Sequence, residues 1–149
     1  MKKFILIILT AFLFITPRIA MAETSDINCL AKAIYFESRG GTESDMKDVG
    51  HVVLNRSNSI KFPSNVCSVV FQKIKGKCQF PWACNTYRIK DNEEFERSKE
   101  YANELYRQEK SGVRRDPTNK ALFFHNFRVA PSWGNYSKCH INKQHIFYK

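Results

Sequence analysis

The chain of 149 residues carries 24 lysines and arginines against 14 aspartates and glutamates, a formal net charge of +10. This length suffices for one domain of ordinary size and is too short for two. The positive charge favours anionic partners, such as peptidoglycan with its peptide carboxylates, teichoic acids, membranes or nucleic acid, without choosing among them. Because the basic residues are scattered rather than gathered in one block, we expect a soluble, positively biased surface and no nucleic-acid partner.

The N-terminal segment is typical of a secretory signal peptide. Lys2 and Lys3 precede an apolar run over residues 4–15, and Ala20-Met21-Ala22 forms a small-x-small cleavage site. The run is short for a transmembrane span, which needs roughly 20 residues, although an uncleaved anchor is the alternative. We predict a signal peptide over residues 1–22 and a mature domain over 23–149, exported to the periplasm or the cell wall without stable membrane insertion. Loss of three basic residues leaves 21 against 14 acidic ones, a net charge of +7.

All five cysteines lie in the predicted mature part. Export to an oxidising compartment favours disulfides. Cys78 and Cys84 enclose a short loop and form the first predicted pair, while Cys29 with Cys67 is the second, which leaves Cys139 over. The alternative is that several cysteines stay reduced in the core, as free cysteines often do.

Apolar residues at helical spacing predict the first helix of the mature domain. Ser25 or Asp26 is available as its N-cap, and Gly40 and Gly41 are expected to end it in the left-handed conformation. The stripe consists of Ile27, Leu30, Ala31, Ile34, Tyr35 and Ser38.

Glu37 lies at the edge of this apolar stripe, at the end of the helix. Partial burial disfavours the charged carboxylate and raises its pKa, which is the property that a general acid needs near neutral pH. The two glycines are expected to leave its flank uncrowded for a substrate. We therefore predict that Glu37 is a catalytic acid; the alternative is a solvated glutamate paired with Arg39 or Lys32.

Capping signals place three further helices. Thr42 with Asp45 opens a helix that ends near Arg56, and Asn65 caps a short one. Asp91 with Glu94 opens a long helix that runs to Gly112, and a polar loop with a subdomain boundary follows over residues 110–120.

Between the short and the long helix, residues 76–86 form a cross-linked aromatic loop without helical periodicity. Exposed aromatic side chains beside amides suit the binding of sugar rings, so Phe80 and Trp82 are candidate substrate contacts. The alternative is that both belong to the core.

The last thirty residues change character. Aromatic and β-branched residues over 121–126 and 145–148 favour strands, and residues 131–135 make a turn. Helices followed by a small antiparallel sheet indicate an α+β fold.

Segments in a consistent order over nearly the whole mature part resemble the cell wall hydrolase family of the SleB/CwlJ type. They are Tyr35-Phe36-Glu37-Ser38-Arg39-Gly40, Val52-Val53-Leu54-Asn55-Arg56, Phe62-Pro63, Val66-Cys67, Cys78-Gln79-Phe80 with Trp82 and Cys84, Phe124-His125, Val129 with Pro131 and Trp133, and His145-Ile146-Phe147-Tyr148. The resemblance implies a lysozyme-like, mainly helical catalytic domain that cleaves the glycan strands of peptidoglycan. It also implies that Glu37 is the catalytic residue.

The chain departs from the family pattern at three positions. Ser38 replaces a common alanine, Gly41 stands where a second glutamate usually follows, and Met46 replaces a glutamine. Any second acid must therefore come from elsewhere, and Glu43, Asp45 and Asp48 are the candidates.

A single glutamate suits a lytic transglycosylase, in which the muramic 6-hydroxyl replaces water and no second carboxylate is needed, whereas hydrolysis requires one. Tyr35, Gln79, Asn126 and Tyr148 are candidates to bind the sugar N-acetyl groups or to steady Glu37. Their alternative role is structural. We expect no cofactor and a monomer.

Three other functions stay open alongside an N-acetylmuramidase. A zinc amidase would draw its ligands from His125, Cys139, His140 and His145, although no metal-binding spacing is present. A secreted ribonuclease lacks an ordered basic stripe. A non-catalytic wall-binding module is kept open by Gly41 and Met46.

Overall fold

The computed structural model describes residues 16–132 and 134–149. Residues 1–15 of the predicted signal peptide, and Trp133, lie outside the described residues. Within them the α-helices are α1 (Thr16–Ser38), α2 (Glu43–Ser57), α3 (Val66–Val70) and α4 (Asn92–Lys110). The strands are β1 (Lys73–Ile74), β2 (Lys77–Cys78), β3 (Phe123–Asn126), β4 (Lys138–Ile141) and β5 (His145–Tyr148), and a 3₁₀ helix spans Pro81–Cys84.

Helix α1 begins earlier than its sequence predicts. It starts at Thr16 and continues through the predicted cleavage site, so neither Ser25 nor Asp26 caps it. Asp26 instead accepts hydrogen bonds from the backbone N–H of Cys67 and the hydroxyl of Tyr106. The expected capping role was wrong because this carboxylate joins α1 to α3 and α4.

The other helix starts follow the local capping signals. Thr42 and Asp45 form a complete capping box at α2, and the Asn65 side chain accepts from Ser68 N at α3. At α4 only half of the box forms, because Asp91 accepts from the backbone of Glu94 while the Glu94 carboxylate turns to Gly40.

The helices enclose the main core. Leu30 and Ile34 of α1 and Leu105 of α4 are fully buried or nearly so. Gly50 allows close packing here, because a Cβ at this position would lie 2.5 Å from Leu105 Cδ1. The three helices α1, α2 and α4 therefore meet without space between them, and α1 is held in a fixed position.

A three-stranded antiparallel sheet follows, in the order β3-β5-β4. Residues 121–126 and 145–148 supply β3 and β5 as predicted, with Phe124 opposite Phe147. Strand β4 and the β1–β2 hairpin were not predicted, since their short polar segments carry no clear alternation. Val52, Ala121 and Phe147 form a second buried cluster that fastens the sheet to α2. The result is the α+β, mainly helical architecture that the sequence predicts.

Two disulfides are present, between Cys29 and Cys67 and between Cys78 and Cys84, and Cys139 is free. The first joins α1 to α3. The second closes the loop that contains the 3₁₀ helix. Both are the pairs that we predict from spacing and export. No helix within the described residues combines the length and apolar character needed to cross a membrane.

Candidate active site

Glu37 lies in the last turn of α1, and the end of this helix is held from two sides. Gly40 adopts a φ of +76°, as a left-handed helix stop requires, and its N–H donates to Glu94 Oε1 at 2.8 Å. The Ser38 hydroxyl donates to Gln144 Oε1, 2.7 Å away, in the β4–β5 turn. Helix α4 and the sheet therefore fix the position of Glu37.

Gly41 does not play the part expected of it. It has no positive φ, and its surroundings are crowded rather than open. A Cβ here would lie 2.9 Å from Ser38 O, from Asp45 Cβ and from Gln144 Nε2. The arrangement leaves no room for a larger side chain, including the glutamate that the resemblance implies, at this position. Met46, the other main departure, is fully buried in the core.

The disulfide loop brings Trp82 to Glu37. Its indole Nε1 donates to Glu37 Oε1 at 2.7 Å. The indole stacks on Phe36 with a centroid distance of 4.8 Å and on Phe80 at 5.7 Å. Trp82 is therefore a rigid donor that orients one carboxylate oxygen.

Burial raises the pKa of Glu37, while the Trp82 hydrogen bond and the positive charge of Arg56 oppose this rise. The side chain is half-buried. Among the described residues neither Arg39 nor Lys32 lies within 4.0 Å of it as an ion-pair partner; Arg39 lies over the ring of Tyr35 and Lys32 over that of Phe71. The alternative of a solvated, ion-paired glutamate is thus not what the structure contains.

Arg56 is a component of the site that sequence reasoning missed. It is only 3% exposed, and its Nε donates to Leu122 O at 2.7 Å. The guanidinium lies over the rings of Phe62, Phe80 and Phe123, at 5.2, 5.4 and 5.9 Å from their centroids. Its Nη1 has no hydrogen-bond partner among the described residues.

The Arg56 charge persists despite this burial. Burial lowers its pKa to about 10, opposed by the charge of Glu37, so the group stays protonated at neutral pH. The sequence places Arg56 near the end of α2, which we interpreted as helix-end structure. Phe80 and Phe123 come from segments that are distant along the chain, and no pattern near Arg56 predicts that they pack against it.

Glu37 lines three clefts. The loop-side cleft, of about 400 Å³, is also lined by Arg39, Trp82, Tyr87, Arg88 and Lys90. The sheet-side cleft, of about 370 Å³, is also lined by Asn126, Arg128, Lys143, Gln144 and His145. The aromatic cleft, of about 310 Å³, is also lined by Arg56, Gln79, Phe80, Phe123 and Tyr136. Of the described residues, Glu37 alone supplies a carboxylate to these three clefts.

The three candidate second acids are engaged elsewhere. Asp45 is buried, accepts from Thr42 in the capping box and accepts from the N–H of Lys143. Asp48 is buried and accepts from His140 and Asn142. Glu43 pairs with Lys47 at 2.6 Å. None of the three acids lines a cleft beside Glu37.

Two predicted sugar contacts do not reach the clefts. Tyr35 is fully buried, and its hydroxyl accepts from the N–H groups of Lys90 and Asp91, 3.1 Å from each. It therefore supports the loop before α4. The Tyr148 hydroxyl is 2.9 Å from His125 Nε2, and Tyr148 lines none of the three clefts. Both predictions rested on residue type, which does not report side-chain direction.

The remaining predicted contacts do meet around Glu37. Gln79 and Phe80 line the aromatic cleft, Trp82 the loop-side cleft and Asn126 the sheet-side cleft. Phe80 and Trp82 are largely buried, with 3% and 9% of their surface exposed, so both belong to the core as well as to a cleft wall. Their contact with a sugar stays a prediction.

Three of the four residues weighed as zinc ligands have hydrogen-bond partners, and the fourth, His145, has a buried Nδ1 without a partner among the described residues. His140 Nε2 lies 2.9 Å from Asp48 Oδ2, and the Cys139 thiol donates to carbonyls of Thr118 and Phe147. His145 is buried, which lowers its pKa to about 4. In the described part of the chain, no three His, Cys, Asp or Glu side chains form a group that could hold a metal ion.

Relatives carry the same fold and a similar sequence. The crystal structure of the catalytic domain of the Bacillus cereus SleB protein superposes with a TM-score of 0.61 at 26% identity, covering 85% of this chain and 91% of that one. Spore cortex-lytic enzymes of Bacillus subtilis and Bacillus cereus are each 32% identical, over 83% and 84% of this chain. The chain spans only 37% and 44% of their lengths.

A sequence profile described as Cell Wall Hydrolase matches residues 40–148. The match begins just after Glu37, so the assignment of this glutamate rests on the geometry described above. It covers the sheet, α2 to α4 and the disulfide loop, which together build the clefts around Glu37. The chain therefore belongs to the cell wall hydrolase family.

Proposed function

We propose that this protein cleaves the glycan strands of peptidoglycan between MurNAc and GlcNAc, as a lytic transglycosylase with Glu37 as its catalytic acid. Membership of the cell wall hydrolase family supports the substrate class. The spore cortex-lytic activity named for the relatives supports it further, although the chain corresponds to less than half of each. The observation that supports the proposal most directly is that one half-buried carboxylate, that of Glu37, lines all three clefts.

The first step is proton transfer to the leaving oxygen. Burial raises the pKa of Glu37, which is the direction of shift that a general acid needs. The proton passes to the glycosidic oxygen while oxocarbenium character develops at C1 of the muramic ring. The C1–O bond breaks, and the GlcNAc unit leaves with a 4-hydroxyl.

The second step uses the same residue as a base. The muramic 6-hydroxyl attacks C1, and the Glu37 carboxylate accepts its proton, which gives a 1,6-anhydro product and restores the acid. No water and no second carboxylate take part. Trp82 and Arg56 stabilise the carboxylate between the two steps, through a hydrogen bond and a buried positive charge.

Hydrolysis by an N-acetylmuramidase mechanism is the second candidate. It requires another carboxylate at roughly 5–9.5 Å from the acid, as nucleophile or as base for water. Glu43, Asp45 and Asp48 are hydrogen-bonded or ion-paired away from the clefts, which favours transglycosylation.

The setting of the reaction follows from the N-terminus and the cysteines. We propose that the chain is exported, is cleaved after Ala22 and acts as a monomer on the wall. Two disulfides and the signal-like N-terminus support this setting.

The test is digestion of purified peptidoglycan by the exported protein, with mass analysis of the products. We expect 1,6-anhydro-muropeptides. Reducing-end MurNAc would assign hydrolysis instead, and cut peptides on intact glycan would assign an amidase or peptidase. Wall binding without any cleavage would leave the binding-module alternative.

A further inference from the structure

Five exposed cationic side chains surround Glu37, and none of them forms a salt bridge with a described residue. The loop-side cleft carries Arg39, Arg88 and Lys90, and the sheet-side cleft carries Arg128 and Lys143. No carboxylate of the described residues lies within 4.0 Å of any of these five groups. The two clefts thus combine five positive charges with one lining carboxylate, that of Glu37, while Asp45, outside the clefts, is near enough to Lys143 for this positive charge to help lower its pKa.

Four cations outside these clefts have carboxylate partners, whereas others, such as Lys73 and Lys77, have none within 4.0 Å among the described residues. Lys47 contacts Glu43 and Glu104, Lys99 contacts Glu96, Arg97 contacts Glu94 and Arg114 contacts Glu109. Like charges gathered in a cleft repel one another and raise the local concentration of anions. Such an arrangement is expected where a ligand supplies the missing negative charge.

Resting on the glycan cleavage proposed above, we propose that these two clefts bind carboxylates carried by the substrate on either side of the bond that Glu37 cleaves. The substrate class is then a glycan rich in carboxylates. In peptidoglycan the stem peptide supplies free carboxylates, and the lactyl group of muramic acid supplies one where no peptide is attached to it. Both present the same planar anion, which the guanidinium of Arg88 or Arg128 matches with two parallel hydrogen bonds.

The position of the cations favours the substrate over another anionic surface. They share their clefts with Glu37 and with the aromatic rings of Trp82 and Tyr87, and the two clefts have volumes of about 400 and 370 Å³. A contact surface for a membrane or a nucleic acid would not need to enclose a half-buried acid. Because the five groups are exposed, their attraction is screened over roughly 8 Å at physiological ionic strength.

The other titratable groups of the clefts are accounted for. His145 is buried, which lowers its pKa to about 4, so it is neutral in the working range. Arg56 in the aromatic cleft is buried among rings, with its Nε on Leu122 O. Tyr87 and Tyr136 contribute phenol groups. The five exposed cations are therefore the charges that a bound carboxylate would meet.

The test compares variants on substrates that differ only in carboxylates. Arg88→Gln with Lys90→Gln removes two of the three cations of the loop-side cleft, and Arg128→Gln with Lys143→Gln removes both cations of the sheet-side cleft. The matched control, Lys73→Gln with Lys77→Gln, removes two equally exposed charges from the β1–β2 hairpin, outside the three clefts. The substrates are native peptidoglycan, peptidoglycan whose carboxylates are converted to amides, and glycan strands from which an amidase has removed the peptides.

On native wall we expect each cleft pair to lose roughly tenfold in kcat/KM, mainly through KM, and the control pair to change less than twofold. On amidated wall, the kcat/KM of the unmodified protein should fall to that of the cleft variants on native wall. The kcat/KM of the variants should fall little further. Added salt should raise the KM of the unmodified chain and have a smaller effect on the cleft pairs. Activity retained on peptide-free strands would show that the lactyl carboxylate, which the amidase frees, can serve as the bound anion, and a loss there would assign the stem peptides.

Equal cleavage of native and amidated wall would overturn the proposal while leaving the glycan cleavage intact. So would binding to phosphatidylglycerol vesicles that is lost in the cleft variants without any change in wall cleavage. Sedimentation of the Glu37→Gln protein with native and amidated wall measures the same preference without catalysis. It tests the carboxylate site even if no wall is cut, in which case the proposed function alone fails.

Discussion

The clefts around Glu37 carry mainly positive charge, whereas the cavity on the other side of α2 carries mainly negative charge. This second cavity, of about 670 Å³, is lined by four acids, Glu43, Asp48, Glu104 and Asp116, together with Lys47, His51 and Arg115, and we call it the acidic cavity. Each Glu37 cleft is smaller, at about 310 to 400 Å³, and its surroundings are basic. Volume alone would direct attention to the acidic cavity.

The two regions also differ in how many of their charged side chains contact a group of opposite charge. In the acidic cavity Lys47 contacts Glu43 and Glu104 at 2.6 and 2.7 Å, and Asp116 accepts from Thr118 and Asn55. Asp48 Oδ1 is an exception there, without a partner among the described residues, and burial raises the pKa of this acid. Around Glu37 none of the five exposed cations forms a salt bridge with a described residue. The comparison indicates that cations without salt bridges beside a half-buried acid are a better guide to the catalytic site than cavity volume is.

The largest expected effect comes from removing the acid itself. Glu37→Gln keeps an oxygen that accepts from Trp82 but has no proton to deliver to a leaving group. We expect a loss of about 10²- to 10⁴-fold in the rate of glycan cleavage, with the thermal midpoint nearly unchanged. The measurement is release of anhydro-muropeptides from purified wall.

The matched control removes one charge from the other region. Asp48→Asn keeps an acceptor for Asn142 in the acidic cavity. Its rate of cleavage should stay within about twofold of the unmodified chain. A loss comparable to that of Glu37→Gln would move the chemistry to the acidic cavity.

The next effect comes from the indole donor. Trp82→Phe preserves ring stacking on Phe36 but removes the hydrogen bond to Glu37. We expect a roughly tenfold lower kcat, because a charge-assisted hydrogen bond to the carboxylate is lost. The pKa of Glu37 should rise further, which moves the alkaline limb of the pH–rate profile upward. An unchanged profile would contradict the assignment of Trp82.

Substitution of Arg56 tests the role of its buried charge, with a smaller expected effect on the rate of glycan cleavage. Its charge lowers the pKa of Glu37, so Arg56→Met should raise that pKa. Because Glu37 must be protonated to act, activity should then persist to higher pH, while kcat falls several-fold. Arg56→Lys keeps the charge and should leave the alkaline limb in place. A shift of equal size in both variants would indicate a purely structural role.

The smallest effect on activity is expected in the acidic cavity, where His51 acts on stability. Burial lowers the pKa of His51 to about 4, and Arg114 Nη1 lies 2.8 Å from its Nδ1, facing it with a donor. The unfolded chain binds the proton more readily between pH 4 and the ordinary value of 6.5. The free energy of unfolding should therefore fall by up to roughly 3 kcal/mol as the pH drops through this window.

Urea unfolding at pH 7, 5.5 and 4.5 measures this loss. His51→Gln should reduce the pH dependence, and the rest should come from His145, whose pKa burial also lowers to about 4. Cleavage at pH 7 should not change. A pH dependence as steep in His51→Gln as in the unmodified chain would contradict the assignment.

Local signals predicted much of the helical part. The capping residues Thr42, Asn65 and Asp91 depend on side chains that reach two or three positions along the chain, so the sequence alone reveals them. The strand β4 and the β1–β2 hairpin depend on partners distant in sequence and escaped prediction. Helix α1 was predicted too short, because an apparent N-cap at Asp26 serves instead as a tertiary acceptor.

The candidate site shows the same division. Glu37 was predicted from its place beside an apolar stripe, which is a local property. Tyr35 was misassigned because the stripe points its ring into the core. Arg56 and four of the exposed cations, Arg88, Lys90, Arg128 and Lys143, were missed because four separate segments bring them to Glu37 and their spacing along the chain does not reveal that convergence.

The bridge between Cys78 and Cys84 has a consequence for when the protein is complete. It closes the ring of residues that carries Trp82, whose indole holds one oxygen of Glu37. With free thiols this loop would lose its closure, and the indole would sample other orientations. We therefore expect full cleavage activity only in an oxidising compartment, which the proposed export would provide. The protein would then become active only after it has left the cytosol.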